Sequence, residues 1–117
     1  MNRLIIAIAS LSIATVALAN PVPVTNTTKA PYKAGKIYCN DAILKPSKGE
    51  NIACYNHDAC YSDPQGRSRL ECDEGYLRDM RRAGLETTGL IKYQALRVWG
   101  KASWERSREN DKRRAAN

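Results

Sequence analysis

Beyond its first twenty residues the chain has no long apolar run, so the body of the protein is expected to be soluble rather than membrane-spanning. It has no strand signal of any strength, which excludes a sheet-built core. It has no internal repeat, which excludes a solenoid. Histidine is reduced to one residue, His57, and cysteine to four. Any imidazole chemistry therefore rests on a single side chain.

The first residues do carry an apolar run. Asn2-Arg3 is a short positive start, Leu4 to Val16 is apolar or small, and Ala17-Leu18-Ala19 is an A-x-A cleavage signal. This pattern predicts a secretory signal peptide over residues 1–19. The run falls short of the roughly 20 residues a spanning helix needs. The expected location is secreted. Removing 19 residues from a chain of 117 leaves one small domain, a class that commonly adds cross-links to a limited core. All four cysteines (Cys39, Cys54, Cys60, Cys72) fall in the remainder, and two disulfides are expected. The formal charge is +7, heaviest toward the C-terminus. Loss of Arg3 lowers it by one. Such a chain favours anionic surfaces.

Residues 20–37 carry Pro21, Pro23 and Pro31 and read as an extended arm or a pro-segment. Two capping boxes follow, Ser47-x-x-Glu50 and Ser68-x-x-Glu71. They predict helices near 48–62 and 69–83, with Asp63-Pro64-Gln65-Gly66 as the turn and Gly84 as a stop. A third helix is expected over about 89–108, with Trp99 in the core and the charged residues from Arg106 to Asn117 frayed. Tyr55, Leu77 and Met80 read as packing residues.

Helical geometry constrains the cysteines. Cys54 and Cys60 lie roughly 240° apart around a helix and about 9 Å apart along it, which is too far for a bridge. Cys60 ends the first helix and Cys72 lies in the first turn of the second, so a short turn brings them together. The predicted pairs are Cys39–Cys54 and Cys60–Cys72. The fold class is all-α: an antiparallel helix pair stapled by disulfide, a third helix beside it and a loop in front.

The chemistry-bearing stretch is Cys54-x-x-His57-Asp58-x-Cys60-Tyr61. His57 and Tyr61 share one helix side and Asp58 points about 100° away. An imidazole acting as a base needs a partner that fixes its tautomer. Asp73, next to Cys72, is placed by the second disulfide to be that partner. Asp58 is then free to face a metal.

These motifs resemble the active-site helix of the secreted phospholipase A2 family. Cys72-Asp73 resembles the Cys-Asp that opens the family's second long helix. Tyr38-Cys39-Asn40-Asp41-Ala42 lies where the family keeps its calcium loop, with Asn40, Asp41 and Ala42 replacing that loop's glycine-rich stretch. The likeness spans roughly residues 38 to 80 of a domain expected over 38–117, and suggests a compact, two-disulfide member. The resemblance implies that His57 activates a water against the sn-2 ester of a phospholipid, that Asp73 orients His57, and that Tyr61 braces Asp73. It implies Ca2+ held by Asp58 and by carbonyls near Tyr38, Asn40 and Ala42, an oxygen-rich set suited to that ion. The implied partner is a phospholipid membrane surface, anionic by charge; no specific nucleic acid is expected. Two rivals remain. One is a non-catalytic relative acting as a binding protein or toxin subunit. The other is a zinc site built from the cysteines and His57, disfavoured because exported thiols oxidise.

Overall fold

The computed structural model describes residues 19–40 and 44–117. Most of the segment expected to be a signal peptide lies outside the described residues, and so do Asp41 and Ala42 of the loop. The described residues form three helices and no strand: α1 (Lys48–Ser62), α2 (Arg69–Arg82) and α3 (Glu86–Ala116). The all-α class and the stapled helix pair are as expected.

Both capping serines start their helices. Ser47 Oγ accepts from the Glu50 amide at 3.2 Å, and Ser68 Oγ accepts from the Glu71 amide at 3.1 Å. Each satisfies one of the donors a helix start leaves open. The Glu50 side chain goes to Lys92 on α3. The α1–α2 turn needs left-handed backbone at Gln65 and Gly66 (φ 52° and 84°). Gly84 ends α2 at φ 75°. The Leu85 amide then donates back to the Met80 carbonyl at 2.9 Å, the pattern of a Schellman close.

The two bridges are Cys39–Cys54 and Cys60–Cys72, with Cα separations of 5.3 and 5.6 Å. Chain-entropy arguments assign each about 3 kcal/mol. The chain has no phenylalanine, and tyrosines supply the aromatic bulk instead. Tyr38, Tyr55, Tyr61 and Tyr76 are buried together with Ile52, Ala53, Leu77 and Met80. A buried phenol needs a partner for its hydroxyl. Tyr55 donates to the Ala30 carbonyl at 2.8 Å, and Tyr38 Oη accepts from the Lys33 amide at 3.0 Å.

Those partners lie on the arm. Residues 20–37 run out along α1 and back. On the way out, the Val24 amide donates to Asn56 Oδ1 at 2.8 Å; past the turn, the Thr28 amide donates to Asp63 Oδ2 at 3.1 Å. The chain reverses near Asn26, which adopts φ 59°. On the way back, Asn51 Nδ2 donates to the Lys36 carbonyl and Asn51 Oδ1 accepts from the Tyr38 amide, both at 2.7 Å. Val24 and Tyr32 pack on the main core. The arm is extended, yet it supplies core contacts and hydrogen-bond acceptors to α1.

α3 corrects two expectations. It continues to Ala116 instead of fraying after Arg106. Its charged end is laced by pairs at helical spacing, Lys101–Glu105, Arg108–Asp111, Arg113–Glu109 and Arg114–Asp111, which support a helix where no core does. Trp99 is not core: it is 75 % exposed. Trp104 is the packed indole, 5.2 Å from the Tyr61 ring at a T-shaped angle, with Arg108 stacked over it at 4.3 Å. The reason is that α3 buries glycines, Gly89 and Gly100. A Cβ on either would come within 2.7 Å of Met80 or Tyr61. Backbone contact at those two points turns Ile91, Val98 and Trp99 outward.

Candidate active site

α1 places His57 and Asp58 on adjacent azimuths in its middle, and α2 places Asp73 one residue after the bridging Cys72. The stapled ends bring the two side chains together: His57 Nε2 lies 2.7 Å from Asp73 Oδ1. Tyr61, one turn after His57, donates its hydroxyl to the same Oδ1 at 2.7 Å. Asp73 is 0 % exposed and His57 8 %. Burial alone raises the Asp73 pKa. The hydrogen bonds from His57, Tyr61 and Arg97 overcome that penalty and hold the carboxyl below the ordinary aspartate value. Asp73 is therefore an ionised acceptor, so the ring proton sits on Nε2. Nδ1 is left without a partner among the described residues. Burial, and then the bond to the Asp73 carboxylate, pushes the Tyr61 hydroxyl above the usual phenol range, so Tyr61 stays a donor.

His57 opens onto a cavity of about 310 Å³. Its wall includes Tyr38, Asn40, Asp58, Ala95, Leu96 and Trp99, so one side comes from the loop before α1 and the other from α3. Asp58 makes no hydrogen bond or ion pair among the described residues. Burial raises its pKa, opposed by the charges of Lys29 and His57. An unpaired, half-buried carboxylate on a cavity wall suits a cation. No three His, Cys, Asp or Glu side chains cluster among the described residues. Among the described residues a metal here would draw on one carboxylate, Asp58, plus neutral oxygens, a set that fits a hard ion such as calcium and not zinc; Asp41 lies outside the described residues. Both disulfides are closed and no cysteine is free, which leaves no thiolate for zinc. Tyr38 and Asn40 stand at the cavity; Ala42 lies outside the described residues.

Several residues of the site were not singled out from the sequence. Arg97 on α3 donates from Nη1 to Asp73 Oδ2 at 2.6 Å. Arg69 Nη1 stands 3.6 Å from the same oxygen and donates to the Leu96 carbonyl at 3.1 Å. Gly100 makes room for the Tyr61 hydroxyl. Among 19 lysines and arginines, nothing distinguishes Arg97 before the helices are assembled. Gly89 and Gly100 stand about three helical turns apart, which puts both on one face of α3 but does not say that the face is buried.

No family model, no curated protein and no solved structure matches this chain. The functional argument therefore rests on the geometry and on the motifs.

Proposed function

We propose that the protein is a secreted, calcium-dependent phospholipase of the A2 type, hydrolysing the sn-2 ester of phospholipids. One observation carries this reading: the His57–Asp73 pair, braced by Tyr61, engages Nε2 and leaves Nδ1 without a partner among the described residues, while His57 and the unpaired Asp58 line one cavity. A neutral imidazole with its far nitrogen held by a buried carboxylate is a general base. His57 Nδ1 takes a proton from a water as that oxygen bonds to the ester carbonyl carbon. Asp73 stabilises the imidazolium that results. His57 then returns the proton to the glycerol oxygen as its bond to the acyl carbon breaks, releasing fatty acid and lysophospholipid. No covalent enzyme intermediate is required. Asp58, with carbonyls near Tyr38, Asn40 and Ala42, would hold Ca2+, which supplies polarisation of the ester carbonyl and compensation of oxyanion charge.

The lipid partner is supported by the outer face of α3. Ile91, Val98 and Trp99 are 67, 65 and 75 % exposed, and Trp99 also reaches the cavity wall. The formal charge is +7 for the full chain and +6 without Arg3, so the protein suits an anionic membrane surface.

The test is fatty-acid release from phosphatidylglycerol vesicles with calcium, then with excess chelator. Release that stops on chelation and is lost in His57→Ala supports the reading. Full activity in folded His57→Ala protein would sink the mechanism. No release at any calcium level from the folded, oxidised protein would favour the non-catalytic alternative.

A further inference from the structure

The dyad is held from a third helix. Asp73 Oδ1 is occupied by His57 and Tyr61. Its other oxygen, Oδ2, takes Arg97 Nη1 from α3 at 2.6 Å, with Arg69 Nη1 further off at 3.6 Å. The torsion that turns a carboxylate is broad and nearly two-fold. Bonds to Oδ1 alone leave that torsion soft, because rotation can exchange the two oxygens and carry the acceptor away from the imidazole. A charge-assisted bond on Oδ2 removes that freedom. It also supplies a positive charge beside a carboxylate that is fully buried. Such a carboxylate is otherwise costly.

Arg97 is itself fixed in place. Its backbone carbonyl accepts from Arg69 Nη2 at 3.4 Å, so α2 grips the residue whose side chain grips the α2 carboxylate. Three residues on, Gly100 allows α3 close enough for this reach. Arg97 stands outside the cavity lining, so it acts through Asp73 and not on a substrate.

We infer that Arg97 is a positioning residue for the catalytic pair, locking the Asp73 carboxylate so that His57 is held as its Nε2–H tautomer with Nδ1 free. This deepens the hydrolase reading and rests on it only for the activity arm of the test. His57 is the only histidine, so its ring signals need no assignment.

The test uses the full oxidised protein and three variants, Arg97→Met, Arg97→Gln and Arg97→Lys. Long-range ¹H–¹⁵N correlation in alkaline buffer reads the tautomer. Hydrolysis of a short-chain phosphatidylcholine below its micelle concentration reads kcat and KM. The native ring is expected as one tautomer, protonated at Nε2. Arg97→Met is expected to give mixed or exchanging ring signals, and kcat about a hundredfold lower with KM little changed, the scale of an ångström-sized misplacement. Arg97→Lys should restore most of both, because only Nη1 makes the contact. If Arg97→Met does not fold, Arg97→Gln, a neutral donor of shorter reach, takes its place and should fall between. A single Nε2–H tautomer in the charge-free variant, with kcat within twofold of native, overturns the inference. Loss of activity with KM raised and the tautomer intact also overturns it. If the native chain hydrolyses nothing while the tautomer follows the expected order, the inference stands and the hydrolase reading fails.

Discussion

Gly100→Ala puts the helix-packing argument at risk. On helix propensity alone the change should help, by about 1 kcal/mol in a helix interior. The structure predicts the opposite sign. A Cβ there would sit 2.7 Å from Tyr61 Oη and 3.5 Å from Arg69 Nη1. Relief needs the hydroxyl to retreat by roughly half an ångström or more. Tyr61 is buried and its hydroxyl is committed to Asp73 at 2.7 Å, so the retreat strains a charge-assisted bond worth about 1.5–3 kcal/mol. Overpacking elsewhere costs about 1–3 kcal/mol. The two costs share one displacement, and after the propensity gain the expected net loss is about 2 kcal/mol. In a domain of this size that lowers the melting midpoint by roughly 10 °C. Urea denaturation followed by circular dichroism measures it directly. Gly75→Ala is the control: its new Cβ would meet only the mobile end of Arg78 at 3.4 Å, and a gain of about 0.5–1 kcal/mol is expected. In a Tyr61→Phe background the obstructing oxygen is gone, and Gly100→Ala should become neutral or stabilising. Strict additivity of the two substitutions, or a stability gain from Gly100→Ala in the native background, would refute the packing assigned to α3.

Three further outcomes follow from the same contacts. Asp79 is pushed above the ordinary aspartate value by burial, against a hydrogen bond from Asn56 and the charges of Arg82 and Arg78; a raised folded pKa penalises the ionised form as pH rises through it, so Asp79→Asn should raise stability at neutral pH and change little in acid, read as denaturation midpoints at the two pH values. Asp73 has the opposite sign: its folded pKa is depressed, so the stability it contributes is present above the ordinary aspartate value and is lost as pH falls through the lower folded one; Asp73→Asn should flatten that acid limb of the stability profile. Trp104→Ala should cost about 2 kcal/mol through the lost Tyr61 and Arg108 ring contacts, whereas Trp99→Ala should stay within about 0.5 kcal/mol, with acrylamide quenching the Trp99 emission more strongly.

What could be read from the sequence was local. The two capping serines and the Gly84 stop are short-range signals, and α1 and α2 begin and end close to where those residues put them. The cysteine pairing followed from helix pitch and one turn. What could not be read was the way α3 packs. Ile91, Val98 and Trp99 face solvent because much of the contact is made by Gly89 and Gly100, and a pattern of apolar side chains misleads when the buried positions have no side chain. Its charged end, taken for a fray, is a helix held by its own ion pairs. Arg97 is invisible for a related reason: its partner lies 24 residues away across a helix junction that no local pattern encodes.

The position of Asp73 ties the stability of this fold to its chemistry. Groups from all three helices surround its carboxylate: His57 and Tyr61 of α1 and Arg97 of α3 bond to it, and Arg69 of its own α2 is an ion-pair neighbour at 3.6 Å. The Cys60–Cys72 bridge holds two of those helices together at the residue next to it. Removing the carboxylate outright therefore leaves a guanidinium and two other donors at the helix junction without their acceptor, a cost set by the orphaned groups more than by the lost bonds. Loss of activity in Asp73→Ala would say little about catalysis, because the same change loosens the packing of α3. Asp73→Asn keeps the shape and at least one acceptor while removing the charge. Only a loss of turnover in that variant, with the three helices intact by circular dichroism, assigns the carboxylate a role in the reaction itself.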